Sequence, residues 1–163
     1  MNIPHANNEA GGDVRAGKNG MEVPDHGSFS EKEWPDQEKG FARMIEIIDS
    51  DVGRILDRLD VLGLAQNTLV LFSSDNGPHQ EGGHKMTYFN SNGPLRGMKR
   101  DLYEGGIRVP LIVHWPGHIR PGVESNHISG FQDILPTLAE IAGKGVAETD
   151  GISFAPTLLG DGG

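Results

Sequence analysis

The sequence predicts an α/β fold, because a long amphipathic helix is followed after a short loop by an apolar strand, with a second strand and helix later. Apolar residues recur every three or four positions from 36 to 62, which indicates a helix with one buried face. Ser30, Glu33 and Pro35 suit a capped start, and Gly63 suits the stop. We expect this helix to pack on a sheet.

Two apolar runs predict two buried strands. The run 68–73 ends at Asp-Asn-Gly-Pro and is typical of a strand in a parallel sheet. The run 108–115 ends at Pro-Gly, although Pro110 disfavours strand structure at its beginning. Residues 132–142 have a helical pattern closed by Gly143, and the tail predicts one further short helical turn.

The chain is expected to form one domain or part of one, since 163 residues are enough for a single core. Residues 1–35 are polar and rich in Gly, Pro, Asn and Asp, which predicts a loop-rich segment. Residues 36–143 form the predicted α/β core, and 144–163 form a C-terminal tail. A loop-rich start of that length counts against a complete domain.

Composition excludes several classes of function. A net charge of −9 at pH 7 disfavours nucleic acid and anionic membrane surfaces as partners, and no partner protein is evident. The absence of cysteine excludes disulfides, thiolate metal sites and a cysteine nucleophile. The seven histidines show no zinc-motif spacing. No signal peptide and no apolar run of roughly 18 residues, the length that spans a bilayer, is present in this chain.

Asp75 and Asn76, directly after the first predicted strand, form a candidate metal site. In open α/β sheets, ligands collect beyond the carboxyl ends of the strands. A carboxylate beside a carboxamide offers two hard oxygens, the ligand type that Ca²⁺ or Mg²⁺ prefers. The alternative is that Asp-Asn-Gly-Pro only forms a turn.

A basic, glycine-rich segment is a candidate anion site. Arg96, Lys99, Arg100 and Arg108 lie within thirteen positions. Lys99 offers a point charge and Arg96 a planar fork for an oxyanion, and the neighbouring glycines allow the backbone to approach a ligand closely. The alternative is a solvated basic loop. The segment is not a Walker loop, whose Gly-Lys-Ser/Thr ending is missing.

Together these segments resemble the sulfatase family in order and spacing over residues 41–143. The segment around His5 is similar to the family's segment around a substrate-contacting histidine. The resemblance implies an alkaline-phosphatase-like α/β sandwich, present here in part, with a mostly parallel sheet flanked by helices. It also implies hydrolysis of sulfate esters. The five matching segments are 68–78, 93–99, 104–110, 115–117 and 133–137.

The resemblance further implies the chemistry of the site. In the family, a Cys or Ser in a Cys/Ser-x-Pro-Ser/Ala-Arg motif becomes formylglycine, whose hydrate attacks sulfur while Ca²⁺ holds the sulfate oxygens. Asp75 and Asn76 match two of the metal ligands. Lys99 matches the lysine that contacts sulfate near the leaving oxygen, and His5 matches the histidine that assists there. His5 and Lys99 are therefore the predicted catalytic residues. Together with Arg96, they are also the predicted substrate-binding residues.

The family's nucleophile motif is absent from this chain, because it has no Cys and none of its nine Ser has Pro two positions later. The first pair of acidic metal ligands is missing too. We therefore expect a part of a sulfatase that is inactive alone, with Met1 an internal methionine or a misplaced start. We also expect weak or no metal binding, and poor folding in isolation because two strands would have unpaired edges.

Two other functions stay open. One is a non-catalytic polypeptide with a residual anion-binding surface. The other is a phosphatase or phosphodiesterase of the same superfamily, although such enzymes use paired metals and the Lys99 segment favours sulfate.

The expected substrate is a small-molecule or carbohydrate sulfate ester, and loop 79–92 does not identify which one. By family habit, the full-length protein is expected to be periplasmic or secreted.

Overall fold

The computed structural model describes residues 21, 23–146 and 148–160, which fall into two compact units. The first unit is Met1–Val61 with Phe72–Ile112, and the second is Leu62–Leu71 with Val113–Gly163. This division follows spatial contacts, and the predicted boundaries after residues 35 and 143 stay predictions. No helix in the described part of the chain is long and apolar enough to cross a membrane.

The predicted long helix is confirmed as α1, Asp36–Val61. It begins after Pro35, whose carbonyl accepts two backbone hydrogen bonds from the first turn. It stops before Gly63, which has a positive φ of 66° that favours glycine. A 3₁₀ turn, Gly27–Phe29, precedes the helix. The predicted Ser30 cap is wrong, because the Ser30 hydroxyl donates to the Gly27 carbonyl of this turn at 2.9 Å.

The buried face of α1 packs on loop residues, whereas the sequence predicted a sheet. Phe41 and Met44 form the core of the first unit with Met21, and Phe89 packs against it. Gly40 permits the close contact, since a Cβ there would lie 2.1 Å from the Met21 carbonyl oxygen. The C-terminal half of α1 keeps apolar side chains exposed, namely Ile55 and Val61.

The two predicted strands exist but are shorter than their apolar runs. They are β1, Val70–Ser73, and β2, Leu111–His114, the latter starting directly after Pro110. They form a two-stranded antiparallel sheet, so the mostly parallel sheet is not found among the described residues. An apolar run carries no information about strand direction, so the mostly parallel sheet stays a prediction. In the first unit, the Ser73 hydroxyl donates to the Pro110 carbonyl at 2.8 Å.

The strands are less buried than their composition predicts. All four residues of β1 are half-buried, and most of β2 is exposed. Ile112 has 58% of its surface exposed. An apolar run expresses a preference for burial, but burial needs a second layer of structure. The described residues of either unit do not provide enough of that layer.

The helices of the second unit agree with the sequence. A 3₁₀ turn, Phe131–Asp133, leads into α3, Ile134–Ile141, and the predicted tail helix is α4, Ala155–Leu159. Pro136 lies in the first turn of α3, where its missing N–H costs nothing. The four-residue α-helix α2, Glu104–Ile107, in the first unit was not predicted.

Hydrogen bonds of Asp133 and Thr137 join α3 to the segments that precede and follow it. The Asp133 carboxylate accepts hydrogen bonds from the Gly130 amide at 2.7 Å and the Ile152 amide at 2.8 Å. These backbone hydrogen bonds hold the pKa of Asp133 below its ordinary value. The Thr137 hydroxyl donates to the Asp133 carbonyl and accepts from the Phe154 amide. The Asp-x-x-Pro-Thr segment is therefore explained by packing and capping.

Candidate functional site

Backbone hydrogen bonds join two segments that carry predicted site residues and the short helix α2. All three lie in the first unit: the loop after β1, the loop 96–100, and α2. The Gly77 amide donates to the Gly106 carbonyl at 2.9 Å, and the Lys99 amide donates to the Pro78 carbonyl at 2.8 Å. The Gly105 amide donates to the Arg96 carbonyl at 2.7 Å. The segments are thus held against one another without any side chain.

Glycine is required where these segments meet. A Cβ on Gly77 would lie 1.9 Å from the Gly105 carbonyl oxygen, and a Cβ on Gly105 would lie 2.2 Å from the Gly97 carbonyl oxygen. A Cβ on Gly106 would lie 2.2 Å from the Asp101 carbonyl oxygen. Separations this short are far inside van der Waals contact, so the backbones approach only because these positions lack a side chain.

Asp75 and Asn76 follow β1 and present oxygen atoms to the solvent. Asp75 is exposed and Asn76 is half-buried. The Ser74 hydroxyl donates to the Asn76 carbonyl at 2.8 Å and shapes the turn. Neither the Asp75 carboxylate nor the Asn76 amide group bonds to another described side chain or backbone group. Their hard oxygens fit a divalent cation, but within the described residues no cluster of three or more His, Cys, Asp or Glu could complete such a site.

Lys99 forms an ion pair with a carboxylate that the sequence did not single out. Its Nζ lies 3.3 Å from Oε2 of Glu81, and Nη2 of Arg100 lies 2.5 Å from Oε1 of the same group. The Glu81 side chain is 5% exposed. Burial by itself would raise the pKa of Glu81, but the hydrogen bonds from Arg100 and Lys99 outweigh it and lower the pKa. Glu81 is therefore ionised at neutral pH.

Arg100 reaches Glu81 from a strained turn. It is one of two described non-glycine residues with positive φ, at 81°. This conformation costs roughly 1–2 kcal/mol in a residue with a Cβ. The turn is stabilised by Asp101, whose carboxylate accepts the Met98 amide at 3.0 Å and whose amide donates to the Met98 carbonyl at 2.8 Å. Strain of this kind is often stored at functional positions.

A cleft of about 210 Å³ lies beside this ion-paired group. His79 is buried, and its Nδ1 accepts the Glu81 amide hydrogen at 3.0 Å. An accepting Nδ1 requires the neutral imidazole with its proton on Nε2. The cleft thus combines a neutral ring, two cations and one carboxylate. Its lining residues are His79, Gln80, Glu81, Met98, Lys99 and Arg100.

The loop that carries His79 and Glu81 is anchored on α1 by a buried pair. Nδ1 of His84 lies 2.5 Å from Oε2 of Glu38, and the two side chains are 0% and 1% exposed. Oε1 of Glu38 accepts the Lys85 amide at 3.0 Å. The His84 ring stacks on Phe41 with centroids 3.8 Å apart. Both ends of loop 79–85 are therefore fixed, one by Glu38 and the other by the hydrogen bond between Pro78 and Lys99.

The predicted site residues are only partly assembled. The backbone bond between Pro78 and Lys99 brings the segment of Asp75 and Asn76 next to that of Lys99, although neither Asp75 nor Asn76 lines the cleft. Arg96 is exposed, places its guanidinium 3.9 Å from the Tyr103 ring centroid, and is not among the lining residues. His5 lies outside the described residues.

Sequence reasoning missed His79 and Glu81. The available signal was their position, because they directly follow Asn-Gly-Pro and lie in a loop that the sequence left without a role. The opposite charges of Glu81 and the Lys99–Arg100 pair gave a further hint. Charge alone does not identify partners 18 and 19 positions apart, since that contact depends on the backbone links described above.

Comparison with known proteins assigns the family. The sulfatase family profile matches residues 7–144. Steryl-sulfatase of Rattus norvegicus is 45% identical over 121 residues, which are 71% of this chain and 21% of that protein. Arylsulfatase A of Homo sapiens is 41% identical over 117 residues, 71% of this chain and 22% of that protein. The chain thus spans about a fifth of the length of these relatives.

A solved structure supports the same relationship. The structure of Ps i-CgsB in complex with k-i-k-neocarrahexaose superposes with a TM-score of 0.74 at 29% sequence identity. The match covers 86% of this chain and 31% of the other. The fold agrees with an alkaline-phosphatase-like α/β architecture that is present here in part. The profile match over most of the chain, together with these relatives, shows that the protein belongs to the sulfatase family.

Proposed function

We propose that this chain is a part of a sulfate ester hydrolase and that it contributes metal-binding and sulfate-binding side chains to the active site. The observation that carries the proposal is the pair of backbone links, Gly77 to Gly106 and Lys99 to Pro78. They hold the turn of Asp75 and Asn76 next to the loop of Lys99. Hard oxygens beside a fixed ammonium suit a tetrahedral anion held through a divalent cation.

Asp75 and Asn76 are the proposed ligands from this chain for one Ca²⁺ ion. Their fit rests on hard donor atoms that have no other described partner. Bound Ca²⁺ would supply positive charge against the sulfate oxygens, and a formylglycine would supply the nucleophile. Within the described part of the chain, these two side chains are too few for the six to eight oxygens that Ca²⁺ prefers. The sequence contains no Cys/Ser-x-Pro motif.

Lys99 is the proposed donor to the sulfate oxygen nearest the leaving group. Its ammonium is positioned by Glu81 at 3.3 Å, so little reorganisation is needed when charge develops there. His5 is proposed to hydrogen-bond or protonate the leaving alkoxide, which needs a proton or a nearby positive charge. Arg96 is proposed to bind the substrate at the edge of the cleft. Its guanidinium would then give up its contact with the Tyr103 ring.

The proposed substrate is a small-molecule or carbohydrate sulfate ester. The solved structure named above contains an oligosaccharide, k-i-k-neocarrahexaose, which supports a carbohydrate. The net charge of −9 argues against nucleic acid as a substrate. A periplasmic or secreted location of the full-length protein is proposed from family habit.

The test expresses the chain together with any sequence that its reading frame encodes upstream of Met1 and assays aryl sulfate and aryl phosphate. We expect aryl sulfate to be preferred, and Lys99→Ala to lower kcat/KM by about 100-fold, the size of a lost charge-stabilising donor. The matched control is Arg54→Ala, a cation whose ion pair with Asp51 is exposed on α1. A preference for aryl phosphate would favour the phosphatase alternative, and saturable binding without hydrolysis would favour the non-catalytic one.

A further inference from the structure

Among the described residues that line the cleft, two side chains are cationic and one is anionic. Lys99 and Arg100 are cationic, and Glu81 is ionised because both cations donate to it. His79 is neutral, since its Nδ1 accepts a backbone amide. Asp101 directs its carboxylate to the Met98 amide and does not line the cleft. Without Glu81, the same lining would carry two positive charges.

Glu81 is held in place and is not free to leave when an anion binds. Its two oxygens bind different cations, and its side chain is nearly excluded from solvent. Its carbonyl accepts the His84 amide at 3.2 Å, and His84 is itself bound to Glu38. Moving a buried carboxylate away from both partners would leave an uncompensated charge, which is costly. The negative charge of Glu81 therefore stays beside any ligand of Lys99.

We propose that Glu81 is a specificity-determining residue that shifts the relative affinity of the cleft towards monoanionic sulfate monoesters and away from dianionic phosphate monoesters. The inference rests on the proposed function, because it takes Lys99 as the group that binds the anion. A sulfate monoester carries one negative charge, which the Glu81 carboxylate repels. A phosphate monoester has a second pKa of about 6 and carries two charges at pH 8. Glu81 therefore repels the phosphate ester about twice as strongly as the sulfate ester.

The experiment measures dissociation constants of 4-nitrophenyl sulfate and 4-nitrophenyl phosphate for the full 163-residue chain at pH 8, by chemical-shift titration. Glu81→Gln should shift the ratio of the two constants about tenfold towards phosphate, which corresponds to roughly 1.4 kcal/mol of charge interaction. Glu81→Asp keeps the charge and should keep most of the wild-type ratio.

Two further variants make the result specific. Glu46→Gln is the matched control, since Glu46 also pairs with an arginine, Arg43, at 2.6 Å, but lies on α1. It should leave the ratio unchanged. Arg100→Gln removes one positive charge from a side chain that is 69% exposed, and Lys99 still pairs with Glu81 in this variant. It should shift the ratio about threefold towards sulfate.

Each outcome decides between the two proposals. An unchanged ratio in folded Glu81→Gln overturns the inference, and if that variant fails to fold, an unchanged ratio in Arg100→Gln does so. Lys99→Ala separates the inference from the proposed function, because it should weaken both esters. If Lys99→Ala leaves both constants unchanged, the proposed anion site itself is wrong.

Discussion

Replacing Glu38 with alanine should destabilise the first unit strongly, because Glu38 supports loop 79–85 from inside α1. The substitution leaves the His84 Nδ1 and the Lys85 amide without their acceptor. Nε2 of His84 already has no hydrogen-bond partner among the described residues, so the buried ring would lose its remaining bond. Orphaned buried donors cost roughly 1–3 kcal/mol each, and a broken buried pair roughly 3–5 kcal/mol. We expect the free energy of unfolding to fall by about 3 kcal/mol.

The assay is urea unfolding followed by tryptophan fluorescence. Trp34 reports on this region because its ring lies 5.2 Å from that of Phe89. Glu38→Gln should give a smaller loss, since the amide oxygen can accept one of the two bonds while the amide nitrogen faces the other donor. Asp51→Asn, which removes an exposed ion pair with Arg54, should change stability by less than about 0.5 kcal/mol. A loss below about 1 kcal/mol for Glu38→Ala would refute the proposed anchoring.

Two other substitutions test the second unit and the glycine links. Asp133 has a lowered pKa in the folded chain, so its contribution to stability is present above the unfolded value of about 3.9 and is lost as the pH falls through the lower folded value. Asp133→Asn should therefore lower the thermal midpoint at pH 7, with a difference from wild type that shrinks in acid; a constant difference would contradict this. Gly77→Ala should cost more than about 2 kcal/mol, because the new Cβ would lie 1.9 Å from the Gly105 carbonyl oxygen. Gly53→Ala, in α1 with no atom within 4 Å of the new Cβ, should instead stabilise by about 0.5–1 kcal/mol, and equal effects of the two would show that the contact is not rigid.

The helices were predictable because their signals are local. The spacing of apolar residues and the glycine stop fixed α1 within one residue of its predicted end, and α3 was found in the same way. The short helix α2 was missed, since its Glu-Gly-Gly-Ile sequence has poor helix propensity and is held by backbone bonds to other segments. Strand burial was mispredicted because it depends on neighbouring elements, and the mostly parallel sheet stays unconfirmed for the same reason.

The candidate site was only partly predictable for the same reason. Asp75, Asn76 and Lys99 were selected through the family resemblance together with their residue types, and those roles stay predictions. The pairing of Lys99 and Arg100 with Glu81 depends on two loops being held together by Gly77, Pro78 and their partners. Nothing in the local sequence of either loop specifies that contact.

The backbone hydrogen bonds between these segments determine which positions of the region can vary in sequence. Because Gly77, Gly105 and Gly106 join the segments through amides and carbonyls, the chemical identity of nearby surface side chains contributes little to the framework. Exposed positions such as Thr87 and Ser91 can therefore accumulate substitutions while the supporting scaffold persists. A combinatorial library that randomises those positions and retains the three glycines should yield many folded members with altered ligand preference.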